Sequence, residues 1–64
     1  MKKYYRMIVK NIRMGETDTY VSERQGSAPA GWKCTGVCGC FENDGKVDLL
    51  WLNRRFYNAK ICKV

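Results

Sequence analysis

The apolar residues of this chain change period once. Between Tyr4 and Val37 they largely alternate with polar ones, and from Lys46 onward they recur every three or four positions. Period two puts successive side chains on opposite faces of a strand, whereas a period near 3.6 gathers them on one face of a helix. A chain patterned in this way folds as strands first and a helix afterwards. In YYRMIVKN, residues 4–11, Tyr5, Met7 and Val9 point one way and Arg6, Ile8 and Lys10 the other, as in a half-buried strand. IRMGET, residues 12–17, contains Gly15 and reads as a loop. DTYVSE, residues 18–23, supplies a second strand through Thr19, Tyr20 and Val21. The two pair as an antiparallel hairpin whose loop exceeds the tight two-residue kind.

RQGSAPAG, residues 24–31, holds Gly26, Ser27, Pro29 and Gly31 in one short stretch, which excludes a regular element. Pro29 lacks a backbone donor and has a fixed φ. Gly31 is free to take a positive φ just before Trp32. A third strand follows over Trp32–Val37, with Trp32, Cys34 and Gly36 on one face and Lys33, Thr35 and Val37 on the other. Cys38-Gly39-Cys40 is too Gly-rich to extend it. Asn43-Asp44-Gly45 forms a break in which Asn43 or Asp44 can cap a helix. Val47, Leu50 and Trp51, with Leu49, Leu52 and Phe56, then support an amphipathic helix of about three turns. Asp48 lies early in it and Arg54 and Arg55 late, which suits the helix dipole. The tail, YNAKICKV, reads as a short strand or an irregular strap with Ile61 and Cys62 packed. The expected architecture is one α+β domain over residues 1–64. It comprises a three-stranded antiparallel sheet with a C-terminal helix packed on one face, in the order β-β-β-α.

At 45% hydrophobic content the chain is an ordered domain rather than a solvated tail. A core of this size supplies roughly 3–5 kcal/mol, so a disulfide, a metal, a dimer or a large partner would add to it. The net charge of +6 is unevenly distributed. Lys2, Lys3, Arg6, Lys10 and Arg13 crowd the start and Arg54, Arg55, Lys60 and Lys63 the end, whereas every acid lies between Glu16 and Asp48. Basic ends around an acidic middle either serve solubility or attract a polyanion or an acidic protein surface. Arg6, Lys10 and Arg13 interrupt the early apolar residues, so no secretory leader is expected. No 18-residue apolar span exists, so no transmembrane helix is expected either. The expectation is a cytoplasmic protein with reduced thiols and no membrane partner.

Cys34, Cys38 and Cys40 form C-x3-C-x-C, and Cys62 stands far downstream. Four thiolates can complete a tetrahedral zinc site, but such sites normally use C-x2-C knuckles. A disulfide pair has three possible connectivities, and the sequence does not choose among them. Idle or buried thiols are the plainer reading, and no metal or cofactor is expected. The chain has no His for acid–base work, no phosphate-cradling Gly loop and no nucleophile elbow. An enzyme is therefore not expected.

Trp32 opens a strand behind a rigid Pro-Ala-Gly turn. It can pack beneath the helix, against Trp51, or present its indole at the sheet edge to a partner, as interface tryptophans do. Pro29-Ala30-Gly31-Trp32 resembles the P-x-G-W signature of MbtH-like proteins. These are small β-β-β-α proteins that bind the adenylation domains of nonribosomal peptide synthetases. The resemblance runs over residues 4–55. Tyr5–Asn11 is similar to the family's opening strand, Tyr20-Val21-Ser22 falls where the family has Tyr-Ser or His-Ser, and Trp51 and Arg54 lie near its late Trp and Arg. The resemblance implies a noncatalytic accessory protein that binds a larger protein, an adenylation domain, through Ser22, Pro29, Gly31, Trp32 and Trp51. The family's S-x-W-P element is replaced here by Ser22-Glu23-Arg24-Gln25, its W-T-D-x-R-P element is reduced to Trp51–Arg55, and its pattern lacks the cysteine cluster. Two alternatives stand beside it. One is a small basic nucleic-acid-binding domain using Tyr4, Tyr5, Arg6 and residues 54–57. The other is a metal-stabilised module of Cys34, Cys38, Cys40 and Cys62.

Overall fold

The structure, a computed structural model, describes residues 2–62. Strands β1 (Lys2–Asn11), β2 (Thr17–Ser22) and β3 (Trp32–Asn43) precede helix α1 (Leu49–Arg55) and a two-residue strand, β4 (Lys60–Ile61). The sheet order is β3-β1-β2-β4. β1 pairs antiparallel with both β2 and β3, and β4 joins β2 in parallel. The fold is thus α+β with one helix, as expected, but its sheet is four-stranded and mixed. The tail makes the difference. α1 carries the chain back across the sheet, so residues 60 and 61 arrive beside β2 in the same direction, as a crossover connection requires.

Two boundaries also differ from the expectation. β3 does not stop at Val37 but runs through Cys38-Gly39-Cys40 to Asn43. Pairing with the ten-residue β1 carries it through, at the cost of two bulges. Arg6 faces Gly39 and Met7 faces Val37, leaving Cys38 as an extra residue; Ile8 faces Gly36 and Val9 faces Cys34, leaving Thr35 extra. Each bulge shifts the alternation by one, so Gly36 does not share a face with Cys34. The helix has seven residues rather than three turns. Its N-cap is Asp48, not Asn43 or Asp44: the Asp48 carboxylate accepts a 2.6 Å hydrogen bond from the Trp51 N–H. Asn43 instead donates its side-chain amide to the Lys46 carbonyl. Arg54 and Arg55 occupy the last turn as expected.

Both faces of the sheet are covered. On one, Tyr4, Val21, Leu52 and Ala59 form a core joined by Phe41, Val47, Trp51 and Phe56. The helix closes this face through Leu52, which is fully buried, while Leu49 and Leu50 stay exposed. On the other, Met7, Val9 and Cys62 are buried with Tyr5, Tyr20, Ala28, Trp32 and Cys34 packed around them. The 23–31 segment contributes Ala28 to this second cover. The alternation of Tyr5, Met7 and Val9 is as expected, but the helix lies on the opposite face of β1, against Tyr4.

Lys60 of β4 donates a hydrogen bond to the Asp18 carboxylate of β2 and lies over the Tyr20 ring. Burial pushes the Asp18 carboxyl up. The hydrogen bonds from Lys60 and the Thr19 N–H, with the Lys60 charge, outweigh burial, and the net position is below the ordinary value. Lys60 is raised, first by its hydrogen bond to Asp18. A depressed carboxyl contributes stability above its unfolded pKa, near 4, and loses it as pH falls through the folded value. The Lys60 contribution is complete below about pH 10 and fades as pH rises through its elevated folded value. Asp18→Asn should therefore flatten the loss of stability on the acid side. Urea midpoints at pH 5 and pH 2 measure this, and equal differences for variant and wild type would exclude the linkage. Leu52→Ala should cost about 2–5 kcal/mol, enough to unfold much of a domain this small. Leu50→Ala, at 70% exposure, should stay within about 0.5 kcal/mol on the same urea curves.

Candidate partner-binding surface

The Pro29–Trp32 turn is built by its own sequence. The Trp32 N–H donates to the Pro29 carbonyl at 3.1 Å, and Gly31 sits at φ +82. A positive φ at the third residue is what a type II turn takes, and Gly meets it without strain. Trp32 leaves the turn half-buried, its ring 6.0 Å from that of Tyr20 and tilted by 56°. It does not reach the helix. Trp51 lies on the other face, 5.3 Å from the Phe41 ring, with the Arg55 guanidinium 5.5 Å above it. The contact between Trp32 and Trp51 offered by the sequence is therefore replaced by two separate aromatic groups.

The other expected surface residues divide in the same way. Pro29, Gly31 and Trp32 stand together. Ser22 pairs with Tyr5 and Trp32 with Asn11, so they are six residues apart along β1, about 20 Å at strand spacing. Ser22 is buried, and its hydroxyl accepts a 3.1 Å hydrogen bond from the Arg24 N–H. It lines a different cleft, with Glu23, Arg24 and Val47. The structure thus brings together Pro29, Gly31 and Trp32 and leaves Ser22 and Trp51 elsewhere.

The β1–β2 turn, which the sequence pattern marks only as a loop, adjoins Pro29–Trp32. The Ile12 N–H donates to the Gly31 carbonyl at 3.0 Å, tying the two turns together. The Asn11 carboxamide oxygen accepts from the Arg13 and Met14 N–H groups at 3.0 and 2.9 Å, and the Gly15 N–H donates to the Asn11 carbonyl. So held, the turn leaves Ile12 70% and Met14 73% exposed. Two large apolar residues in a segment as polar as a turn were the available signal.

The aromatics and cations of the nucleic-acid alternative are largely occupied inside the fold. Tyr4 is buried and stacks on Phe41 at 5.8 Å, and Arg6 lies 5.0 Å above the Phe56 ring. Tyr57 is exposed.

The four cysteines are free and do not gather at one point: Cys34 and Cys62 share a core, and Cys38 and Cys40 are exposed. Cys34 faces Val9 and packs in the cluster that buries Cys62. Cys40 faces Tyr5 and is exposed. Cys38, the bulge residue, is exposed on the helix side, where its sulfur accepts a 2.9 Å hydrogen bond from Arg6 Nε. Among the described residues no three metal-ligating side chains gather, and no helix is long and apolar enough to cross a membrane. Burial, with a smaller contribution from Cys34, pushes the Cys62 thiol up.

No protein-family model, curated protein or solved structure matches this chain.

Thiol reactivity should follow this placement. With a neutral-pH alkylating reagent, Cys38 and Cys40 should label first, Cys34 more slowly, and Cys62 last unless denaturant is added. Peptide mass spectrometry over a time course reads the order directly; early labelling of Cys62 in native protein would contradict its burial.

Proposed function

We propose that the protein is a noncatalytic binding module, an accessory protein similar to the MbtH-like family, and that its partner is an adenylation domain of a nonribosomal peptide synthetase. The observation that carries this reading is the Pro29–Trp32 turn, which holds a half-buried indole at one end of the sheet in a preset orientation. A rigid aromatic loses little conformational freedom on binding, which is why Trp so often dominates interfaces. The absence of His and of any nucleophile motif from the sequence agrees with a role without chemistry of its own. Such a module acts by mass action: binding the folded form of a marginal partner raises its folded population.

Trp51 and Ser22 have no part in this surface. Trp51 belongs to the core beneath the helix and Ser22 to the opposite end of the sheet. The partner contact is narrower than the family resemblance implies, and centres on Trp32 with Pro29 and Gly31.

Binding of the protein to purified adenylation domains, measured by calorimetry, tests the reading, with amino-acid-dependent pyrophosphate exchange as the functional readout. Trp32→Ala should weaken binding by tenfold or more, as expected for a hot-spot residue. Trp51→Phe should leave binding within about threefold once fold is verified by circular dichroism. No binding to any adenylation domain, or full binding by Trp32→Ala, would overturn the proposal.

A further inference from the structure

The turn that carries Ile12 and Met14 also gathers cations: Lys10, Arg13 and Lys33 border it. Lys10 of β1 and Lys33 of β3 are direct cross-strand partners. Both are exposed, and Arg13 stands in the turn above them. Like charges placed directly opposite each other on adjacent strands are destabilising. The pair is therefore explained better by what it binds than by what it contributes to the fold. An open groove of about 590 Å³ runs between them, bordered by Lys10, Ile12, Arg13, Met14 and Lys33 and by no acid. Glu16 closes the same turn, its carbonyl accepting from the Asn11 N–H at 2.7 Å, but it does not border the groove.

Position adds a second argument. The described residues span 35 × 20 × 18 Å, and a strand of ten residues such as β1 extends about 33 Å. The turn after Asn11 stands at the end of β1 beside the Pro29–Trp32 turn, with Ile12, Arg13 and Met14 exposed. It is stiffened by the Asn11 hydrogen bonds and by the link from Ile12 to Gly31. Trp32, opposite Asn11 in β3, stands just behind it.

We propose that this end is a docking site for anionic phospholipid surfaces: Lys10, Lys33 and Arg13 hold headgroup phosphates while Ile12 and Met14 enter the boundary between headgroups and acyl chains. Charge complementarity selects an anionic ligand. The two aliphatic tips select a lipid surface over a nucleic acid, whose backbone offers them nothing to bury against. The sequence, lacking an apolar span, leads to the expectation of no membrane partner, but a peripheral contact needs only an exposed tip and a ring of cations.

Co-sedimentation of the full chain with phosphatidylcholine vesicles containing about a third phosphatidylglycerol tests this. Binding is expected at low salt and should be absent with phosphatidylcholine alone. Lys10→Ser/Lys33→Ser should weaken it about thirtyfold, roughly fivefold for each cation lost. Ile12→Ser/Met14→Ser should also weaken it, and should abolish the fraction that survives raised salt. Lys46→Ser/Arg54→Ser removes the same charge elsewhere and should bind as the wild type does. All six positions are exposed, so circular dichroism should report an unchanged fold. Equal losses from both charge pairs would reduce the effect to net charge and overturn the proposal. So would wild-type binding by the Ile12/Met14 variant, or binding to a single-stranded oligonucleotide but not to vesicles. The Trp32→Ala calorimetry reads a protein partner in the absence of lipid, so the two proposals fail separately.

Discussion

Everything in this fold leans on β1. It is hydrogen-bonded along both edges, to β2 and to β3, and its side chains enter both cores, Tyr4 on the helix side and Met7 and Val9 on the other. A chain of 64 residues has too little interior for one generous core. Covering both faces of a single strand is a way to bury more of it. The cost is that segments with no regular structure must serve as walls. Ala28 and the Pro29–Trp32 turn are part of the packing, and so is Cys62 after the last strand.

The two ends of β1 have different chemistry for the same reason. Near Tyr4, α1 and Phe41 enclose an aromatic group in which Arg6 and Arg55 lie over rings, so cations are used to cover apolar surface. Near Asn11 no helix reaches the strand. There the backbone is held by hydrogen bonds between two turns, and the side chains of Lys10, Ile12, Met14 and Lys33 face solvent. Rigidity without cover is the property a binding surface needs, since ordering is complete before the partner arrives. The helix-side core and the proposed contacts thus lie toward opposite ends of one strand, while Trp32 also packs in the second core.

Much of the architecture was legible in the residue pattern. The strand over 4–11, the hairpin with β2, the irregular 24–31 segment and the helical period after Lys46 all appear where the periodicity places them. The bulges in β3 were not legible, because Gly and Cys around residues 36–40 weaken any alternation and only the register imposed by β1 reveals the extra residues. The helix start was misplaced because three candidate caps, Asn43, Asp44 and Asp48, stand close together, and which one caps depends on where Val47 and Leu52 find the core. The Pro29–Trp32 turn was legible because a turn is a local object. That Ser22 and Trp51 stand apart from it was not, because proximity across the sheet is not local.

The sequence by itself determined the local conformations. Alternation made strands, Gly31 after Pro29 made a turn, Asp48 and the spacing of apolar residues made a short helix, and an excess of cations made a basic molecule. Tertiary structure alone decided which face the helix covers, that the tail returns as a parallel fourth strand, that Cys34 meets Cys62 while Cys38 and Cys40 stay exposed, and that Lys10 meets Lys33. The physical reason is that dihedral preferences and periodicity act between neighbours in the chain. Face, register and charge pairing are set by which segments share a core, and that is settled only when the whole chain has folded.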